Sequence, residues 1–469
     1  MSIQYAGEYS LDHCHLLTSG GIRVDLSATT IQLDLFEEIY TNGITGTITV
    51  ADTNGIIQNA QVIGQDYLEL KLSTPGLDQT DSNKAVLDFV ENPFVIHKIN
   101  ARFDVSKGAE VFQLSFMSYE ALYNHRIRLS RTFTETNSNI VKNIMRSPNI
   151  LDSRKTLHLE DTIGVRKHVV PNISPFDFIR NLLEDSISKV NGSPHYFFYE
   201  TTKGYHFRTL QSMYNQPITA EFNDGDAGTI AGGDTKIRDL DKEFRTALTY
   251  EPMSQNNMLA NVMGGLLGST FIDYNIFHKK YAIKEYGYFD NFKDFERING
   301  KDTTYDNPIY SDSNIDDKGN NVGDFKNARI FLQPKSVDDS TQSDANQYNT
   351  NTSSYSFSPN NKSKTISQNM AKMFELNSTI SATMSVNGQC NLAAGQCVNV
   401  SRPAGGPGDV DEEYSGKFLI TKLRHIFDQG TRKHEILMHI AKDSSVGVDS
   451  GPVLQPKGRK QPVINLSNY

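Results

Sequence analysis

The stretch Phe94-Val-Ile-His-Lys-Ile-Asn-Ala-Arg-Phe-Asp104 lines up without a gap against Phe418-Leu-Ile-Thr-Lys-Leu-Arg-His-Ile-Phe-Asp428. Phe94 and Phe418, Ile96 and Ile420, Lys98 and Lys422, Phe103 and Phe427, and Asp104 and Asp428 are identical pairs at identical spacing. Alternation in two amphipathic strands accounts for the apolar identities by composition, but hardly for the paired lysines and aspartates. Each stretch is followed by a polar turn and a second strand, starting near Glu110 and Glu435. Upstream, Gly64-Gln65 and Gly395-Gln396 each open a short strand reaching Pro75 and Pro403. The chain therefore reads as two copies of one β module. Val95, Ile99 and Phe103, like Leu419, Leu423 and Phe427, are expected to share one strand face and fill the module core. Phe94 and Ile96, like Phe418 and Ile420, fall on the other face with the two lysines. The lysine stems would cover apolar neighbours, or the charges would discourage edge pairing.

Outward from the first copy, Ile31, Leu33 and Leu35 alternate with Thr30, Gln32 and Asp34, the signature of a half-buried strand. Asn42-Gly43 punctuates, and Ile44 to Val50 resumes the alternation. Residues 1–125 are expected to form the first barrel or sandwich. Residues 126–235 read as α+β. A helix over Glu135 to Met145 stops at Ser147-Pro148. A second starts with Ser174 as N-cap, Pro175 at N1 and Asp177 in the first turn, and Asn191-Gly192 closes it. A hairpin turns at Lys203-Gly204, and residues 219–236 read as a Gly- and Asp-rich loop. Residues 236–250 and 377–445 are assigned to the second module, interrupted by an inserted region over 251–376. That insertion carries aromatic residues, then the polar run Ser336 to Ser363, then a helix over Lys364 to Leu376. Residues 446–469 form a tail. The fold class expected is mainly β with α+β insertions: two duplicated antiparallel β-barrel domains plus peripheral α+β domains.

Composition narrows the function. At roughly 100 to 200 residues per domain, 469 residues imply about two to four domains. Only 37% of residues are hydrophobic and Trp is absent, while Tyr and Phe are plentiful, the balance of several modest β-rich cores. A net charge of -9 argues against sequence-specific nucleic-acid binding, which needs concentrated Lys and Arg. No run approaches the roughly 18 apolar residues of a membrane span, so no stable membrane insertion is expected, and the first ten residues lack a signal pattern. Cys14, Cys390 and Cys397 cannot form a closed disulfide framework and fit a reducing cytoplasm. His13-Cys14-His15 invites a metal reading. Adjacent ligands diverge on a strand, however, and no CxxC or HxxxH completes a site, so neither metal nor cofactor is expected.

No constellation supports catalysis. Glu184-Asp185 are adjacent helical residues that splay by about 100°. Ser174 looks like a cap, with no GxSxG around it. Gly264-Gly265-Leu-Leu-Gly268 lacks the Lys and Ser/Thr of a phosphate loop. The chain reads as no enzyme, with catalytic, cofactor and metal residues all absent.

A family resemblance enters through several motifs in order. They are Glu38-Ile39-Tyr40 before Gly46-Thr-Ile-Thr-Val-Ala-Asp52, Pro171-Asn-Ile-Ser-Pro-Phe-Asp-Phe-Ile179, and the hairpin Phe197-Phe-Tyr-Glu-Thr-Thr-Lys-Gly204. Asn257-Met-Leu-Ala-Asn261 and Val386-Asn-Gly388 leading to Leu392-Ala-Ala-Gly395 follow. Together they resemble the baseplate hub proteins of T4-like contractile phages, relatives of the N-terminal part of type VI secretion spike proteins. The resemblance touches most of residues 20–445. It implies a homotrimer whose six tube-like domains ring a bore, adapting a hexameric tail tube protein to a trimeric central spike protein. Baseplate wedge or tape-measure proteins would be further partners. The implied location is the virion tail baseplate, assembled in the host cytoplasm, with DNA passing through at ejection. The polar segment 336–363 and the aromatic-rich stretch 270–335 look larger than the common hub requires. Two alternatives stay open, and a receptor-binding tail protein, which would bind host surface material, is a third. A type VI-like spike component would continue into a small barrel and a glycine-punctuated β-helix, whereas only about 24 residues follow Ser445. A tail-associated peptidoglycan hydrolase would need a separated pair of carboxyl groups in a cleft.

Overall fold

The computed structural model describes residues 5–53, 55–75, 84–106, 109–224, 240–254, 257–275, 279–292, 297–298, 308–312, 319–335, 370–373, 375–377, 379–404, 410–411 and 413–444. The polar run 336–363, the tail from 446 and the turn residues Lys107 and Gly108 lie outside them. The chain is mainly β, with α+β units attached.

The first module holds β1 (Ser10–Leu17), β2 (Arg23–Asp25), β3 (Thr30–Glu38), β4 (Thr45–Asp52), α1 (Ile56–Asn59), β5 (Tyr67–Thr74), β6 (Ala85–Asp88), β7 (Phe94–Ser106) and β8 (Ala109–Ser118). Period-2 alternation sends Leu33, Leu35, Ile48, Val50, Phe112, Leu114 and Phe116 into one core. Gly46 belongs to this packing: a side chain there would run into the Phe116 ring and the Asp34 carbonyl.

The α+β unit follows with α2 (Tyr119–Arg126), β9 (Thr132–Glu135), α3 (Asn137–Arg146), β10 (Leu157–Leu159), β11 (Arg166–Val169), α4 (Pro175–Glu184), β12 (Tyr196–Thr201), β13 (Gly204–Thr209) and α5 (Leu210–Tyr214). Thr136 caps α3 by accepting from the Asn139 N–H, and Ser174 caps α4 by accepting from the Asp177 N–H. Helix α4 stops at Glu184, earlier than Asn191-Gly192 suggested. The Ser186 hydroxyl donates to the Leu182 carbonyl and so satisfies an open helix end.

Next come β14 (Ile218–Asn223), α6 (Leu240–Arg245), β15 (Ala247–Ser254), α7 (Met258–Gly264), β16 (Gly268–Asn275), β17 (Lys280–Gly287), α8 (Tyr288–Asn291) and β18 (Ile330–Lys335). A strand thus covers 219–223 of the loop expected over 219–236, and 225–236 lie outside the described residues. Phe222 is buried, and β14 pairs in parallel with β20 (Cys397–Ser401). Residues 370–373 and 375–377 are helical. The second module closes with β19 (Ile380–Asn387), β20, β21 (Gly416–Asp428) and β22 (Lys433–Lys442). No helix among the described residues is long and apolar enough to cross a membrane.

Hydrogen-bonded neighbours run β15-β19-β22-β21-β3-β4-β8-β7-β5-β1-β2, a single ladder through both modules. The path β3-β4-β8-β7-β5 is repeated as β15-β19-β22-β21-β20. Leu68 faces Phe94, and Val398 faces Phe418. Both long strands bulge at the same place, between Ile96 and Lys98 and between Ile420 and Lys422. The entering strands also bulge alike, between Thr30 and Gln32 and between Ala247 and Thr249. Bulges at matched positions are specific features of a backbone, and composition alone does not produce them.

Candidate functional site: the shared strand and its open counterparts

Strand β21 serves two neighbours. Its first half pairs with β20, from Cys397 opposite Leu419 to Val400 opposite Gly416. Its second half pairs with β3, from Lys422 opposite Glu38 to Asp428 opposite Gln32. The Ile39 N–H donates to the Thr421 carbonyl at 3.0 Å, and the Gln429 N–H to the Ile31 carbonyl at 3.0 Å. These two bonds bracket the ladder that joins the modules. Side chains reinforce it: Lys422 Nζ lies 2.8 Å from Glu38 Oε1, and Arg424 Nη2 lies 3.2 Å from Asp34 Oδ1. Phe427 crosses the joint and packs in the core of the first module.

Glu37 sits under this joint, fully buried. Its carboxylate accepts from the Thr202 N–H and the Ala394 N–H, both at 2.8 Å, and so ties β3 to the α+β hairpin and to the loop before β20. Burial pushes its carboxyl up to about 7 against the pull of those bonds. His425 Nε2 lies 4.0 Å away. On its other side His425 Nδ1 meets His434 Nε2 at 3.0 Å. Burial pushes His425 down to about 3, so both imidazoles stay neutral at ordinary pH. Lys155 bonds Glu120 at 2.7 Å and Glu200 at 2.6 Å, and Glu200 accepts from the Ile44 N–H.

The same two edges are open elsewhere. Among the described residues, β7 past Ile96 pairs only with β8, and β15 pairs only with β19. These are the counterparts of the β21 and β3 edges that meet inside the chain. Pro252 stands opposite Ala382 in β15, as Leu35 stands opposite Gly46 in β3. Leu35 turns its N–H toward β21, so Pro252 removes one donor from the open edge.

The repeat residues separate in an informative way. Lys98 faces Ser115 and Lys422 faces His439, equivalent rungs of the two ladders, and both lysines are exposed. The bulge before them reverses the faces expected beyond it. Ile99 therefore packs with Phe94 and Ile96, and Leu423 with Phe418 and Ile420. A second bulge, between Ile99 and Ala101, occurs in β7 alone. It slips the rest of the strand by one rung. Phe103 consequently lies on the outer face, 64% exposed, and does not fill the core, whereas Phe427 is 1% exposed. Asp104 faces Glu110 and Asp428 faces Lys433, one rung out of step.

The residues considered for chemistry have structural places. Ser174 caps α4 and donates to Asp177 Oδ2. Glu184 and Asp185 end the same helix. Gly265 is the left-handed C-cap of α7. His13 and His15 do not diverge as expected of adjacent ligands: they are two residues apart and share a strand face, with Glu69 beside them. Sequence reading missed Asp34, Glu37 and Glu38 as joint residues. An acid at Glu37, on the buried side of an alternating strand, was the available signal.

No family model matches the chain. It is 23% identical over 259 residues to the probable baseplate hub protein gp334 of Vibrio phage KVP40, a match covering 54% of this chain and 57% of that one. The chain thus spans little more than half the length of this curated relative. Among solved structures it is similar to the tail protein from Neisseria meningitidis MC58 (TM-score 0.49, 9% identity, covering 93% of this chain and 97% of that one). A second is the 43 kDa tail protein of prophage MuSo2 from Shewanella oneidensis (TM-score 0.49, 7% identity, covering 92% and 97%). The resemblance to baseplate hub proteins read from the sequence motifs is met by this curated match, and the chain is similar to a phage baseplate hub protein over about half its length.

Proposed function

We propose that the chain is a structural subunit of a contractile phage tail, a baseplate hub protein located in the virion, with no catalytic role. Three copies form a ring of six modules. One face of the ring fits a hexameric tail tube and the whole fits a trimeric central spike, with wedge or tape-measure proteins outside. In this reading residues 1–125 are the first tube-like domain, and 236–250 with 377–445 the second. Residues 126–235 and 251–376 pack at the periphery.

One observation carries the reading. The joint between β21 and β3 is made inside the chain, and among the described residues the equivalent edges on β7 and β15 have no strand beside them. A head-to-tail contact repeated around an axis either closes a ring or runs on as a filament. Pairing β7 of one copy with β15 of the next repeats the internal joint between chains and buries edges that would otherwise aggregate. The net charge of -9 suits a bore through which DNA slides.

Light scattering on the purified chain with its spike partner tests the stoichiometry. Three copies per complex are expected, and a stable dimer or hexamer rules the ring out. A low-resolution image of the assembled tail should place the chain between tube and spike. A continuous Lys/Arg lining of the bore would contradict the DNA passage assigned to it.

A further inference from the structure

Strand β1 places His13 and His15 on one face with their rings 3.9 Å apart between centroids. Across the ladder Glu69 of β5 stands opposite His15, and on the other side Asp25 of β2 stands opposite the same residue. One ring nitrogen of each histidine and one Glu69 oxygen all lie within 4.8 Å of one another. Two imidazoles and a carboxylate are a donor set for zinc and its first-row neighbours.

Each tautomer of His13 leaves one of its two close contacts unmade. His13 Nε2 lies 2.9 Å from Glu69 Oε2 and 3.2 Å from Arg23 Nη2. If that nitrogen carries a proton, it opposes the arginine N–H. If it carries a lone pair, it opposes the carboxylate. Arg23 Nη2 is itself 2.7 Å from Glu69 Oε2. A positive group therefore stands where both a lone pair and a carboxylate converge. His15 Nδ1 beside it is buried without a hydrogen-bond partner. A dication at that point takes the His13 lone pair, the carboxylate and a nitrogen of His15 together. Arg23 can leave, because its side chain is 52% exposed. Zinc binds nitrogen and oxygen at about 2.0–2.2 Å, so an ion would draw together donors that now lie within 4.8 Å of one another.

We propose that His13, His15 and Glu69 bind one divalent transition-metal ion of the zinc class, and that Arg23 is the competing cation that holds its place when the metal is absent. Three protein donors leave a fourth position for water, and the site ties β1 to β5.

The test is calorimetric titration of the full, tag-free chain with zinc chloride, paralleled by cobalt(II) absorption to report coordination geometry. The expected result is one equivalent per chain. His13→Ala and Glu69→Gln should each weaken binding at least about ten-fold. Arg23→Ala should tighten it several-fold, an effect that no purely structural arginine–glutamate pair gives. Absence of saturable binding in both the natural chain and Arg23→Ala overturns the proposal, as does zinc binding that survives in a His13→Ala, His15→Ala double variant.

Discussion

Phe103 and Phe427 hold the same position in the sequence repeat and stand one rung apart in the ladders. Phe103 faces Val111, whereas Phe427 faces His434, whose counterpart in β8 is Glu110. A single extra residue in β7 separates an outer-face phenylalanine from a core one.

Their substitutions should differ accordingly. Phe427→Ala is expected to cost about 3–5 kcal/mol, since the ring fills the first module's core and stacks 4.1 Å from His434. Phe103→Ala should stay within about 0.5 kcal/mol in the isolated chain. Urea unfolding of the two variants decides; equal losses would refute the rung assignment.

The paired imidazoles should make the chain acid-sensitive. In the unfolded chain His425 and His434 take up protons below about pH 6.5. Folded, His425 resists protonation down to about 3 because it is buried, and burial with the neighbouring His425 holds His434 low as well. The unfolded state therefore binds more protons, and stability is lost as pH falls through 6.5. Glu37 works in the opposite sense. Its folded carboxyl near 7 contributes stability at low pH that is lost as pH rises toward 7. Two groups oppose one, so melting temperature should fall between pH 6.5 and 5. A His425→Leu, His434→Leu double variant should show a flatter slope, and an unchanged slope would exclude the pair as its source.

Gly388 should not tolerate a side chain. A Cβ there would collide with the His434 ring, which is fully buried against Phe427. Gly388→Ala should cost about 1–3 kcal/mol by overpacking. Gly388 keeps a negative φ, so backbone strain is not the cause. Thermal unfolding at neutral pH reads the difference, and a variant as stable as the natural chain would disprove the contact.

Asp443 anchors a buried ion group. Its carboxylate accepts from Lys372 Nζ at 2.7 Å and lies 3.7 Å from Arg297 Nη1, with Glu375 beside both cations. Burial would raise the carboxyl, but Lys372 and Arg297 outweigh it and hold it below the ordinary range. Asp443→Asn leaves two buried cations with one carboxylate and should cost about 3–5 kcal/mol. A loss under about 1 kcal/mol in chemical denaturation would show that the cluster is solvated.

The strands of both modules were legible because alternation is a local property, and so were the caps at Thr136 and Ser174. The repeat was legible from Phe94 to Ile99. Beyond that the sequence misled, because a bulge adds a residue to one strand without marking it, and gapless alignment then places Phe103 in the wrong layer. Strand β1 was read only as the strand carrying His13-Cys14-His15, and its bounds went unread because its exposed side is polar with no turn signal before it. The joint was invisible for a different reason. Nothing in residues 32–38 reveals that their partner is residues 422–428 and not a nearer strand.

That distance bears on how the chain comes to exist. Arg424 reaches Asp34 across 390 positions, and Phe427 completes a core whose other members, Cys390 apart, lie within the first 116 residues. At about 5–20 residues per second a ribosome takes roughly 20 to 80 s to span that interval. Through all of it the nascent first module carries an unfilled slot beside β3. Until strand β21 arrives, that slot is open to a foreign strand, the exposure that goes with long-range pairing.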